Sequence, residues 1–257
     1  MLLRDSDGGA QASALLIPMV MATLAQADLT LADLDAIVFG RGPGAFTGLR
    51  TATAVVQGLA YGTRSQRHPS GLPVLGIDTL MAVTEEARHA LNERDQLDAA
   101  PCVITALLDA RMDELYAATY VFDDPTSPVA RLLAGPWLTK PEALSECLPP
   151  VARAGWLAGN AFEAYGSRLP PRAQAPDVTH DMTAHPDTPA VRTSRQFTCW
   201  PTAAALLRLA PHMLAAGLTT DAAGAQPVYV RDQVAKTTLE RAAEHMGAYT
   251  RPAPTCP

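Results

Sequence analysis

No apolar run in the 257 residues approaches the ~18–20 that a membrane-spanning helix needs, so no span is expected. The start, Met1-Leu2-Leu3-Arg4-Asp5, has no basic segment followed by an apolar one, so no signal peptide is read there. Cysteine is sparse: Cys102, Cys147, Cys199 and Cys256 lie far apart with no C-x-x-C pair. That excludes a disulfide scaffold or a zinc ribbon and makes a reducing cytoplasm the expected compartment. Aromatic residues make up only 5%, so the core has to be built from Leu, Val, Ile and Ala. The 20 Lys+Arg against 26 Asp+Glu give a net charge of −6 and form no basic stripe, so any contact with RNA is expected to be indirect.

The chain has 48% hydrophobic residues, much of it supplied by 47 alanines, and a length that suits one large domain or two small ones. Residues 10–27 (AQASALLIPMVMATLAQA) read as a helix that is apolar all round, which calls for two buried faces. Pro18 is expected to kink that helix or to mark its true start. Asp35–Phe39 reads as a buried strand, Thr47 as the N-cap of a helix reaching about Tyr61, Pro73–Ile77 as a second strand and Thr79–Leu91 as a third helix. That rhythm predicts an α/β domain with parallel pairing. Val103–Leu108 and Leu115–Phe122 read as an antiparallel hairpin around the polar turn Asp109–Glu114. Weaker signals place a strand near Arg131–Ala134, a helix at Pro141–Cys147, a strand at Ala154–Ala158 and a helix at Thr202–Ala216. Arg168–Arg195, with five prolines, reads as a long irregular loop, and Arg251–Pro257 as a frayed tail. His180 and His185 fall in that loop five residues apart, a spacing that does not put two metal ligands on one helix face.

The most informative string is Gly40-Arg41-Gly42-Pro43-Gly44-Ala45-Phe46-Thr47-Gly48-Leu49-Arg50, between a predicted strand and a predicted helix. Glycines there permit positive φ and close backbone approach, and the free N–H groups of a helix start favour an anion. On spacing alone the loop serves equally well as a tight structural turn or as a ligand cradle. It is not a Walker A loop, because Gly48 is followed by Leu49-Arg50 rather than Lys-Ser/Thr. Gly40, Gly42 and Ala45 satisfy G-x-G-x-x-[GA] literally, but Arg64-Ser65-Gln66-Arg67 offers no acid to a ribose some twenty residues on. G-x-S-x-G and H-E-x-x-H are absent, and no nucleophile–base pair can be assembled.

This string resembles the G-R-G-P-G-[AS]-F-T-G-[LV]-R signature of the bacterial TsaB (YeaZ) family, which serves in tRNA threonylcarbamoyladenosine biosynthesis. Further matches follow in order: Gln57–Ala60, Asp78-Thr79-Leu80, Asp109–Tyr116 and Pro227-Val228-Tyr229-Val230-Arg231. The resemblance implies an α/β fold of the actin/sugar-kinase (ASKHA, RNase H-like) type, two-lobed, with a shortened second lobe. Its lobes would be residues 1–98 and 99–235, followed by a C-terminal extension over 236–257. Family members open with a strand–turn–strand before the first helix. Here Met1–Gly9 leads almost directly into that helix, so a truncated first sheet, exposed strand edges and poor folding of the chain alone are expected.

The resemblance further implies a non-catalytic scaffold that pairs with the catalytic subunit TsaD and, with the ATPase TsaE, supports formation of N6-threonylcarbamoyladenosine in ANN-decoding tRNAs. It implies tRNA contact only through the complex and leaves a homodimer open when TsaD is absent. No catalytic residue, metal site or intrinsic cofactor is expected, with ATP or ADP held only at the level of the complex. Leu16, Met19 and Val20 on the first helix and Thr51, Ala54, Val55 and Gly58 on the second become the candidate partner interface. Gly40, Gly42, Gly44, Thr47, Gly48 and Arg50 are the candidate phosphate or nucleotide contacts. Arg50 has a structural alternative, an ion pair with Asp109 or Glu114, which is the reading preferred. The competing function is a free-standing nucleotide-dependent, kinase-like ATPase working through the glycine loop.

Overall fold

The computed structural model describes residues 1–6, 12–64, 68–97, 100–170 and 195–231. Among them the first sheet has two strands, β1 (Ile37–Gly42) and β2 (Val74–Asp78), paired in parallel with Ile37 opposite Val74. A parallel pair needs a crossover, which helix α2 (Phe46–Gly62) supplies. Successive strand residues face opposite sides, and both sides of β2 are covered. Val74 packs with Phe39, Val56, Ala60 and Leu72 on the α2 side. Leu75 and Ile77 pack on Leu209 and Ala210 of α6 (Ala203–Ala215). The alternating strand–helix reading of residues 35–91 is therefore realised, with α3 (Thr79–Asn92) starting directly after Asp78.

The second sheet has the order β5-β4-β3-β6-β7. Strands β3 (Cys102–Asp109) and β4 (Leu115–Phe122) form the expected antiparallel hairpin, Cys102 opposite Phe122 and Asp109 opposite Leu115. Strand β5 (Arg131–Thr139) is antiparallel to β4, while β6 (Trp156–Gly159) and the short β7 (Gln196–Phe197) add in parallel beyond β3. α3 covers one face through Leu80, Val83, Ala87 and Leu91, against Ile104, Ala106, Tyr120 and Phe122. The opposite face carries Leu107, Leu115, Ala117, Trp137, Leu144 and Leu157. All eight β4 residues are buried, so both faces of this strand are covered.

One buried polar network fastens α3 to α6. Glu85 is completely buried and bonds Arg88 at 2.6 Å and Arg208 at 2.7 Å, and Arg208 also reaches Glu86 at 2.6 Å. A buried carboxylate needs such partners, because desolvating a lone charge is prohibitive. After the second sheet, the chain thus returns to the first one, where Thr220 also bridges Val74.

Several boundaries differ from the sequence reading. Thr47 is not the N-cap: the cap position lies two residues earlier, at Ala45, and no side chain caps the helix. The predicted helix at 141–147 is a 3-10 turn (Pro141–Ala143) followed by α4 (Leu144–Cys147), and β5 extends well past Ala134. α5 (Ala161–Tyr165) and β7 were too short to carry a periodic signal. Residues 171–194, which include His180 and His185, and 232–257 lie outside the described residues.

α1 (Ala12–Gln26) forms as expected, with Pro18 inside it rather than at its start. Its burial does not follow its composition. Only Leu24 is buried among its described side chains, while Leu15, Ile17 and Met21 are 38%, 46% and 47% exposed. An apolar helix is left with most of its surface uncovered.

Candidate functional site: a bridged glycine loop and an open helix pair

The glycine loop lies where β1 and β2 end, the position at which parallel α/β sheets usually bind ligands. Arg41 on β1 donates through Nε to Asp78 Oδ1 at 2.7 Å, closing the gap between the two strand ends. Gly42 has φ +119°, and the place its Cβ would take is filled by the Val228 carbonyl oxygen. The Val228 N–H donates to the Arg41 carbonyl at 2.7 Å. Residues 227–231 thus form a strap laid directly on the loop, and only a glycine at 42 lets them approach. Gly40, Gly44 and Gly48 have ordinary clearance, so no backbone contact of comparable closeness requires them.

The strap continues over the start of α2. Phe46 and Tyr229 stack with ring centroids 5.2 Å apart. Arg50 lies 3.7 Å above the Phe46 ring and donates through Nε to the Tyr229 hydroxyl at 3.3 Å. The expected ion pair of Arg50 with Asp109 or Glu114 does not form, because other arginines hold those carboxylates. Arg231 pairs with Glu114 at 2.5 Å, both side chains being less than a tenth exposed, and donates to the Ala110 and Arg111 carbonyls at 3.1 and 3.3 Å. Arg111 pairs with Asp109 at 3.0 Å.

The β3–β4 turn facing the loop carries three consecutive left-handed residues that are not glycine: Arg111, Met112 and Asp113, with φ of 60°, 55° and 60°. Each costs about 1–2 kcal/mol of backbone free energy. The turn is held from several directions. Asp109 Oδ1 accepts from the Arg111 N–H at 2.7 Å, Arg168 pairs with Asp113 at 2.5 Å, and the Tyr165 hydroxyl sits 2.7 Å from both Asp109 Oδ1 and the Glu114 carbonyl. Burial, reinforced by the Asp109 carboxylate, pushes the Tyr165 hydroxyl well above the ordinary phenol range, so it stays protonated.

A cavity of about 280 Å³ remains between the loop, the turn and the strap, lined among others by Phe46, Met112, Tyr116 and Tyr229. Asp78 at the end of β2 and Asp109 and Glu114 at the β3–β4 turn do not line it, and each is paired to an arginine, which leaves none of the three an uncommitted general base. Among the described residues no group of His, Cys, Asp and Glu could hold a metal ion. The fold type implies a nucleotide at such a loop, but the residues present do not fit one. The strap fills the space above Gly42, and the Val228 carbonyl oxygen, an acceptor, stands where a phosphate would have to approach the loop backbone.

The second set of candidate residues lies along the helices. Thr51 and Val55 are half-buried on α2, Ala54 and Gly58 are exposed, and a Cβ on Gly58 would meet nothing within 4 Å. On α1, Leu16, Met19 and Val20 are half-buried, while Leu15, Ile17 and Met21 stand further out than the residues chosen from sequence. α1 and α2 touch, so both sets belong to one helix pair, with the loop residues at the α2 N-terminus. The sequence reading missed Phe46, Tyr229 and the Glu114–Arg231 pair as partners. The Pro227–Arg231 motif was visible, but the loop it covers is remote in sequence.

A two-stranded parallel sheet, a five-stranded mixed sheet and a glycine loop at the strand ends between them define an ASKHA-type, RNase H-like α/β protein with a bridged cleft. The model of the TsaD family, tRNA N6-adenosine threonylcarbamoyltransferase, matches residues 9–239. A curated relative, the tRNA threonylcarbamoyladenosine biosynthesis protein TsaB of Escherichia coli, is 29% identical over 227 residues, covering 86% of this chain and 80% of its own. The TsaB of Haemophilus influenzae is 37% identical over 106 residues, 41% of this chain and 39% of its own. The solved structure of YeaZ from Pseudomonas aeruginosa superposes with a TM-score of 0.62 at 31% identity, over 86% of this chain and 84% of that one. The chain belongs to the TsaD-like tRNA N6-adenosine threonylcarbamoyltransferase family, on its TsaB (YeaZ) side.

Proposed function

We propose that this chain acts in tRNA threonylcarbamoyladenosine biosynthesis as a non-catalytic scaffold subunit that pairs with the catalytic subunit TsaD. TsaE joins through that pair, and tRNA is met only through the complex. The observation that carries this reading is α1. It is an apolar helix whose described side chains are all at least partly exposed except Leu24, alongside an α2 face of small residues at Ala54 and Gly58. Leu15, Ile17 and Met21 are 38%, 46% and 47% exposed, so covering the rest would contribute about 0.6–1.4 kcal/mol for each, a driving force that the chain alone leaves unused. A large uncovered apolar surface marks an interface. The paired state of the cleft carboxylates supports a role without chemistry of its own, and ATP or ADP is bound at the level of the complex rather than by this loop. No helix among the described residues is long and apolar enough to cross a membrane, and the working site we assign is the cytoplasm.

The test is co-purification with TsaD of the chain carrying Ile17→Asp, Leu16→Asp or Val20→Asp, with circular dichroism as a check on folding. Loss of the TsaD pair by a folded variant supports the reading. Pairing as strong as that of the unaltered chain overturns the interface, and assembly of only a homodimer from the unaltered chain replaces the partner. The competing reading, a free-standing ATPase using the glycine loop, requires turnover by the purified chain and its loss in Gly42→Val.

A further inference from the structure

Two arginines stand on either side of the inter-lobe cavity with their charge turned outward. Arg50 is exposed, lies flat on Phe46 and makes no ion pair among the described residues. Arg111 is 87% exposed and offers only one edge of its guanidinium to Asp109. Between them the cavity walls are apolar or aromatic: Phe46, Met112, Tyr116 and Val228. The uncapped N-terminus of α2 opens at the same place, since its first amide bonded within the helix is that of Leu49, to the Ala45 carbonyl. Its free N–H groups add to the positive potential.

The turn that presents Arg111 and Met112 is costly, with three left-handed non-glycine residues in a row, and it is over-determined by the buried Arg231–Glu114 pair and by Arg168 on Asp113. Strain held in place this firmly points to a purpose for the side chains it displays. Met112, 59% exposed at the rim, is an adaptable apolar contact of the kind found at binding surfaces. The cavity's 280 Å³ has room for one bulky apolar side chain. An apolar socket flanked by two guanidinium groups is complementary to an apolar residue flanked by carboxylates.

We propose that this cleft is a docking groove for an acidic peptide segment of a protein partner, one bulky apolar side chain entering the cavity and carboxylates on either side engaging Arg50 and Arg111. The groove starts at the first turns of α2 and so adjoins the α1–α2 surface, but its occupant is recognised by charge and one apolar side chain and does not depend on the identity of the partner that covers those helices.

The test uses the full chain, ¹⁵N-labelled, titrated with four probes: acetyl-Asp-Glu-Phe-Asp-amide, its charge-reversed counterpart acetyl-Lys-Lys-Phe-Lys-amide, ADP and inorganic phosphate. The expected result is saturable shifts at Gly44, Phe46, Met112 and Tyr229 with the acidic peptide alone, weakening as salt rises. Loss of one charge-assisted contact in Arg50→Gln or Arg111→Gln should weaken binding about tenfold, while the exposed contacts each arginine makes within the chain are worth at most about 1 kcal/mol of stability, so both variants stay folded. Equal binding of the lysine peptide, no shift with the acidic peptide, or shifts unaltered in both variants would overturn the groove. Tighter binding of ADP at these amides would replace the peptide with a nucleotide. Failure of TsaD to pair with the chain leaves this titration unaffected, so the two readings fail separately.

Discussion

Arg231 and Glu114, 117 residues apart in sequence, face each other at 2.5 Å, with side chains 7% and 8% exposed. The contact joins the strap to the β3–β4 turn, while the Val228 N–H of the same strap bonds the Arg41 carbonyl of the glycine loop. Arg231→Met removes the cation that faces the buried Glu114 carboxylate, a loss expected to cost up to about 3–5 kcal/mol. Urea denaturation checks it. The double variant Glu114→Gln/Arg231→Met should recover part of the loss, since no unpaired charge is left behind; a purely additive result would show that the two side chains do not act as a pair.

The glycines separate by position. Gly42→Ala has to take φ +119° and meets the Val228 carbonyl, and should destabilise by about 1–3 kcal/mol while detaching the strap. Gly58→Ala meets nothing within 4 Å inside a helix and should stabilise the isolated chain by about 0.5–1 kcal/mol. Thermal melting of both variants reads this out. A stabilised Gly42→Ala would remove the argument that the strap needs a glycine there.

Much of the fold was legible before any coordinates. The strands at 37–42, 74–78 and 102–109 are short apolar runs ended by glycine or a polar turn, and that pattern survives in sequence. Thr47 was misjudged because a good capping residue type says nothing about which amide the helix starts from. Arg50 was assigned to Asp109 or Glu114 on charge alone. Its actual partners, Phe46 and Tyr229, depend on the strap crossing the loop 179 residues later, which no local pattern encodes. The uncovered state of α1 was not legible either. All-round apolarity called for two buried faces, and only the fold reveals that this chain supplies almost none.

Burial pushes the Cys102 thiol up to about 11, with the Arg88 cation opposing the shift. The folded state therefore keeps a proton that the unfolded thiol loses above its ordinary value of 9.0. Stability from this group is intact below pH 9 and falls as pH rises from about 9 towards 11, because the unfolded state binds fewer protons there. Cys102→Ser or Cys102→Ala should flatten that part of the stability–pH curve. Iodoacetamide at pH 8.5 should label Cys102 only after denaturation, a comparison that mass spectrometry resolves.

Glu85 holds two arginines, Arg88 and Arg208, from a position with no solvent access. Glu85→Ala leaves a nearly buried Arg88 without its main counter-charge and should lower stability by about 3–5 kcal/mol. The loss should be accompanied by faster amide exchange in α6, whose docking on α3 depends on the network. Unchanged exchange in α6 would mean that apolar packing alone holds it.

The central claim is that a partner covers the α1–α2 face. Hydrogen exchange on the full chain, alone and mixed with TsaD, tests it most directly. The account predicts slowed exchange in the complex over residues 13–26 and 51–58, the segments that carry the exposed apolar and small residues. A stable TsaD complex in which those segments exchange as fast as in the free chain, with protection elsewhere, would contradict it.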